Sequence, residues 1–100
     1  MTLHKASAII IAKMNVLQTL LTFKSMNLLW GCMCNPWSVL HTAGASSSGE
    51  GMLLAMDSAM IGVGMDISGS ICIPLDYYGI YGFKPGLGCV LYAGLVGALF

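Results

Sequence analysis

G-V-G-M-D-I-S-G-S-I-C-I-P, Gly62 to Pro74, runs on to Y-G-I-Y-G-F-K-P, Tyr78 to Pro85, and is preceded by a second serine-bearing glycine stretch, G-A-S-S-S-G-E-G, Gly44 to Gly51. Small residues let a backbone come close to a substrate. They also allow strained turns that aim N–H groups inward. A serine in such a turn is where acyl-transfer chemistry places a nucleophile. The local reading works outward from these stretches. Met65 to Ser70 is predicted as a turn, and Ser70 to Tyr77 as a short helix. Ala59 to Gly64 is apolar, ends in glycine and is predicted as a strand, as is Tyr81 to Lys84. Gly51 to about Asp57 is predicted as a helix, with Ser47 or Ser48 as cap and Glu50 in its first turn, where a carboxylate suits the helix dipole.

Further upstream, Leu3 to Ser7 is predicted as a helix end and the Ile-rich run Ala8 to Ala12 as a buried parallel strand without alternation. Asn15 to Leu21 is predicted as a helix with Asn15 as N-cap. Thr22 to Trp37 is irregular, with a turn at Asn35-Pro36, and Val39 to Ser47 is a loop. Alternating strands and helices argue for an α/β protein.

Composition narrows the class. The chain has 100 residues, of which 57% are hydrophobic and only 8% charged. A free-standing domain of this size has too much surface for that balance, so the sequence reads as the interior of something larger. The formal net charge is zero, and no basic patch points to nucleic acid. The apolar stretch Gly88 to Phe100 is shorter than the about 20 residues a spanning helix needs. Lys13, Asn15 and Gln18 interrupt the apolar run near the N-terminus and no cleavage site follows cleanly, which favours intracellular or membrane-associated placement over secretion. Cys32, Cys34, Cys72 and Cys89 do not have zinc spacing and read as free buried thiols. No metal motif is present in the sequence.

The ordered motifs resemble the amidase signature family, serine hydrolases with the pattern G-G-S-S-G-G-E-G, then G-x-G-x-D-I-G-G-S-I-R-I-P, then G-x-x-G-x-K-P. L-H-K-A-S-A-I-I-I-A-K-M-N-V, Leu3 to Val16, is similar to the family's L-x-x-A-G-A-I-x-x-G-K-T-N-V, and Asn35-Pro36-Trp37 to its N-P-[WY]. Asn15 to Gln18, N-P-W and the E-G after the serines look most like the fatty acid amide hydrolase branch. The likeness covers about Leu3 to Pro85.

The resemblance implies a fragment of an α/β/α fold, a mixed sheet flanked by helices, with residues 1–100 forming part of an amidase domain that lacks an upstream lysine segment and a C-terminal part. It implies hydrolysis of a carboxamide with Ser70 as nucleophile and acyl carrier. Ser46 is implied as proton relay, with a cis peptide bond before it. The backbone amides of Ile67, Ser68, Gly69 and Ser70 are implied as oxyanion donors. Leu20 falls where the branch lines its acyl site, and is equally an ordinary core leucine. No cofactor and no metal are implied. The implied partner is a small-molecule amide, extending to a lipid amide, with peripheral membrane contact, no nucleic acid and no specified oligomeric state.

The family's lysine base lies upstream of the aligned region, and none of Lys5, Lys13, Lys24 and Lys84 takes its place. Ala45 and Ser48 replace family glycines, Met65 replaces a small hydroxyl residue, and Cys72 replaces an arginine. A buried Asp66 would then stand unpaired. Two other readings fit the same residues: a non-catalytic remnant of such an enzyme, and a small hydrophobic membrane-associated polypeptide.

Overall fold

Asn35 closes its own turn and then reaches across the molecule. In the computed structural model, which describes residues 2–95, Asn35 Oδ1 accepts the Trp37 N–H at 2.9 Å, an Asx-type turn around Pro36. This turn joins β3 (Cys34–Asn35) to β4 (Ser38–Thr42), an antiparallel pair with an irregularity between Cys34 and Asn35. A smaller hairpin precedes it, β1 (Met26–Asn27) on β2 (Gly31–Cys32). Three helices complete the order among the described residues: α1 (Thr2–Lys5), α2 (Ser48–Ala55) and α3 (Cys72–Tyr78).

The N-P-W turn clasps the end of α3. Asn35 Nδ2 donates to the Tyr77 carbonyl at 3.0 Å and Trp37 Nε1 to the Tyr78 carbonyl at 2.9 Å. Helix ends leave carbonyls without partners, and these two side chains supply donors. Gly79 ends the same helix in the left-handed region, at φ 70°. The Ile80 N–H returns to the Leu75 carbonyl and the Gly79 N–H to that of Asp76, the bond pair of a Schellman motif.

The small core lies where α2 meets α3. Tyr78 is buried, and a Cβ added at Gly51 would stand 2.7 Å from its ring, so helix contact there depends on glycine. The Tyr78 hydroxyl donates to the Ser48 carbonyl at 3.1 Å, and burial pushes the phenol up to about 12. Ser48 Oγ donates to Ser25 Oγ at 2.6 Å, with both residues fully buried.

Several sequence-based expectations need correction. Strands and helices together are consistent with part of an α/β domain, but among the described residues the sheets are two-stranded and antiparallel, and no mixed sheet is formed. Ala8 to Ala12 and Ala59 to Gly64 form no strand, and their apolar side chains face outward: Ile9 is 87% exposed and Met60 100%. A strand buried on both faces needs ladder partners at its edges and layers above and below. The described residues supply neither to these segments. Tyr81 to Lys84 is likewise irregular and exposed. Asn15 to Leu21 is not helical, and Thr19 and Leu20 have positive φ, at 71° and 60°. Part of the Val39 to Ser47 loop is strand β4. Helix α2 starts three residues earlier than expected, with no side-chain cap from Ser47, and Ser48, inside its first turn, points inward to Ser25. The four cysteines are exposed instead of buried. Among the described residues no helix is long and apolar enough to cross a membrane. The apolar stretch Gly88 to Phe100 lies outside the described residues from residue 96 onward.

Candidate active site

The two glycine–serine loops meet through their backbones. The Ser47 N–H donates to the Ser70 carbonyl at 3.1 Å. Small residues make this approach possible. Gly44, at φ +71°, lies against Pro74, with space for a Cβ only 3.0 Å from the Pro74 Cα. A Cβ at Gly64 would stand 2.8 Å from Ser47 Oγ. Gly49 abuts Asn15, whose carbonyl accepts the Gly49 N–H at 3.3 Å, which brings the M-N-V stretch beside the first loop. The Asn15 side-chain Oδ1 is buried there without a hydrogen-bond partner among the described residues.

The Ala45–Ser46 peptide bond is cis. Ser46 is buried, at 8% exposure, and Ser70 is half-buried. Their loops are thus neighbours, while the hydrogen bonds of the described residues include none between the two hydroxyls. Ile67 and Ser68 are exposed. Leu20 is exposed, in a left-handed backbone conformation, and lines neither of two open clefts on the surface. One cleft, of about 320 Å³, runs beside α3 between Phe23, Cys72, Ile73, Asp76 and Tyr77. The other, of about 420 Å³, lies between the Lys13 to Val16 stretch and Asn27 and Trp30.

Asp66 organises the second loop. Its Oδ1 accepts the Gly69 N–H at 2.8 Å, and its Oδ2 accepts the Ile71 N–H at 2.8 Å and the Cys72 N–H at 3.0 Å. The last two amides open α3, so the carboxylate also serves as a helix-terminal acceptor. Lys84 Nζ lies 3.5 Å from Oδ1, and the Asp66 side chain is 3% exposed. Burial by itself would push this carboxyl up. The amides of Cys72, Gly69 and Ile71 outweigh burial and hold it well below the usual carboxylate range. Its charge in turn raises the neighbouring Cys72 thiol, first through their hydrogen bond and then through Coulomb repulsion of the thiolate.

The cysteine at position 72 therefore does not orphan Asp66: backbone amides and Lys84 take the carboxylate. Gly69 holds the loop at φ +110°, a conformation that only glycine adopts readily. Its amide is engaged by Asp66. Sequence reasoning did not foresee the Asp66 amide set. The available signal was an aspartate three residues before a glycine and ahead of a helix, the spacing of an Asx cap. Nor did it foresee the N-P-W clasp, for which no local signal exists because its acceptors lie about forty residues on.

The profile of the family described as Amidase matches residues 1–99. "Amidase 1" of Gibberella moniliformis is 44% identical over 86% of this chain and 16% of its own length. The human "Fatty-acid amide hydrolase 2" is 41% identical over 88% of the chain and 16% of its own length. An "Acetamidase" of Aspergillus oryzae is 37% identical over 97% of the chain and 18% of its own length. The chain thus spans less than a fifth of each of these relatives. No solved structure gives a significant match.

Proposed function

Because this chain belongs to the amidase signature family, we propose that it is the serine-bearing segment of an amidase domain that hydrolyses carboxamides. In this reading Ser70 Oγ attacks the amide carbonyl and its proton passes to Ser46, which hands it to a base. The C–N bond breaks, the amine leaves with a proton, and water releases the acid from the Ser70 ester. The amides of Ile67, Ser68 and Ser70 face the oxyanion. That of Gly69 joins them only by sharing or leaving Asp66. The lysine base comes from a segment other than those described. The observation that carries this reading is the Ser47-to-Ser70 backbone bond, which seats the buried Ser46 loop on the half-buried Ser70 turn.

The substrate is a small linear amide. A relative named for fatty-acid amides supports a lipid amide, with Leu20 toward the acyl chain and the exposed apolar surface toward a membrane. A relative named acetamidase supports a short one. Labelling by a fluorophosphonate, compared with Ser70→Ala and run beside amide turnover, tests the assignment. Labelling lost in Ser70→Ala, without amide turnover, is the expected result for the chain by itself. Robust amide hydrolysis would reveal a base within the chain. Complete failure to label would favour a non-catalytic remnant, a reading that the departures Ala45, Ser48, Met65 and Cys72 already support.

A further inference from the structure

We infer that Asp66, with Lys84 behind it, is the positioning pair of the Ser70 turn: the carboxylate ties the amides on either side of Ser70, and the ammonium offsets its charge. The inference rests on Ser70 as nucleophile only for its catalytic consequence; the tie itself is a matter of geometry. Asp66 Oδ1 takes the amide before Ser70, at 2.8 Å, and Oδ2 takes the two that follow, at 2.8 and 3.0 Å. The Ser70 carbonyl is held separately by the Ser47 N–H at 3.1 Å. Flanked in this way, the Ser70 peptide has little freedom to rotate, which fixes the direction of its Cα–Cβ bond and leaves only the χ1 rotamers for its hydroxyl.

An ionised carboxylate is an acceptor only, so it matches a set of N–H donors without conflict. An asparagine would turn an NH₂ toward at least one of them. The same negative charge, however, opposes any oxyanion formed at this turn. Lys84 answers that repulsion. It reaches Asp66 at 3.5 Å from an irregular segment 18 positions further along the chain, with its own side chain 51% exposed. The neighbouring position that carries arginine in the family pattern is Cys72 here, a neutral thiol beside the carboxylate. The titratable groups that face Asp66 are therefore Lys84 and Cys72.

The test uses the full chain, in detergent where solubility demands it, with two readouts: the fluorophosphonate labelling rate of Ser70, and the ¹⁵N–¹H signals of Gly69, Ile71 and Cys72. Asp66→Asn should slow labelling by about tenfold or more and move the three amide signals together. Lys84→Ala should slow labelling by about threefold to tenfold, with Lys84→Arg within about twofold of the parent. Cys72→Arg added to Lys84→Ala should restore the rate, because the cation returns from another side. Amides that stay in place in Asp66→Asn overturn the tie. Equal slowing in Lys84→Ala and Lys84→Arg overturns the charge role. If the parent does not label, the Ser70 reading fails, and a concerted shift of the amides still upholds the tie. Should Asp66→Asn not fold, an acid titration of the parent decides. Amide signals that hold still through the ordinary aspartate range near about pH 4, and move together if at all only well below it, support the tie; movement within that range, or amides that move separately, overturns it.

Discussion

The junction of the two serine loops and the apolar arms of the chain solve opposite problems. At the junction, apart from the unpartnered Asn15 Oδ1, these polar groups find partners within the described residues: Asp66 on three amides, Ser48 on Ser25, Tyr78 on the Ser48 carbonyl, and Asn35 and Trp37 on the end of α3. In the arms, Ala8 to Ala12 and Ala59 to Gly64, isoleucine, valine and methionine stand in solvent. Hydrogen bonds are satisfied by one well-aimed partner, and a turn can place that partner within a few residues. Apolar burial needs a surrounding surface, and a short chain does not make enough of it. The difference separates the part of this segment that finds its own partners from the part whose apolar side chains stay uncovered among the described residues.

If the junction is the self-contained part, damage there should be large and damage in the arms small. Tyr78→Ala removes its largest buried ring and should cost about 3–5 kcal/mol, read as lost hydrogen-exchange protection across α2 and α3. Loss confined to the arms would break the comparison.

The same residue predicts an alkaline limit. Burial raises its phenol to about 12 in the folded chain, above the ordinary tyrosine value of about 10. The folded state holds the proton more tightly, so this contribution is whole below about pH 10 and fades as pH rises toward 12. Junction protection that stays flat from pH 9 to about 12 would contradict a buried Tyr78.

Gly51→Ala should cost about 1–3 kcal/mol by forcing the helices apart against the Tyr78 ring, seen as a drop in protection at both helices. Ser48→Ala removes the 2.6 Å bond to Ser25 and should cost about 1 kcal/mol. The smallest effect sharpens the contrast from the other side. Ile9→Ser and Met60→Ser should leave junction protection within about 0.5 kcal/mol while raising solubility, measured by sedimentation. A substantial loss of protection would show that the arms pack on the junction after all.

The two helices near the serines were legible because their signals are local. Ser70 to Tyr77 reads as a short helix and Gly51 to about Asp57 as another with Glu50 in its first turn, against Cys72–Tyr78 and Ser48–Ala55 in the structure. The meeting of the loops was legible only through the motif likeness, since nothing in either loop's composition names the other. The strands were misread for a reason that concerns partners. Ala8 to Ala12 has the composition of a buried parallel strand, but a ladder is a property of two chain segments.

From the sequence alone followed the family, the turn before α3 and the excess of apolar residues over what a small surface can hide. Those are readable because they depend on residue type and short spacing. The tertiary structure decided that Asp66 is held by amides and Lys84 in place of an arginine. It decided that N-P-W closes the far end of α3, and that Ser48 turns inward to Ser25 without capping α2. Each of these joins donors and acceptors whose geometry exists only once the chain has folded, and hydrogen bonding is too short-ranged and directional to be read before that.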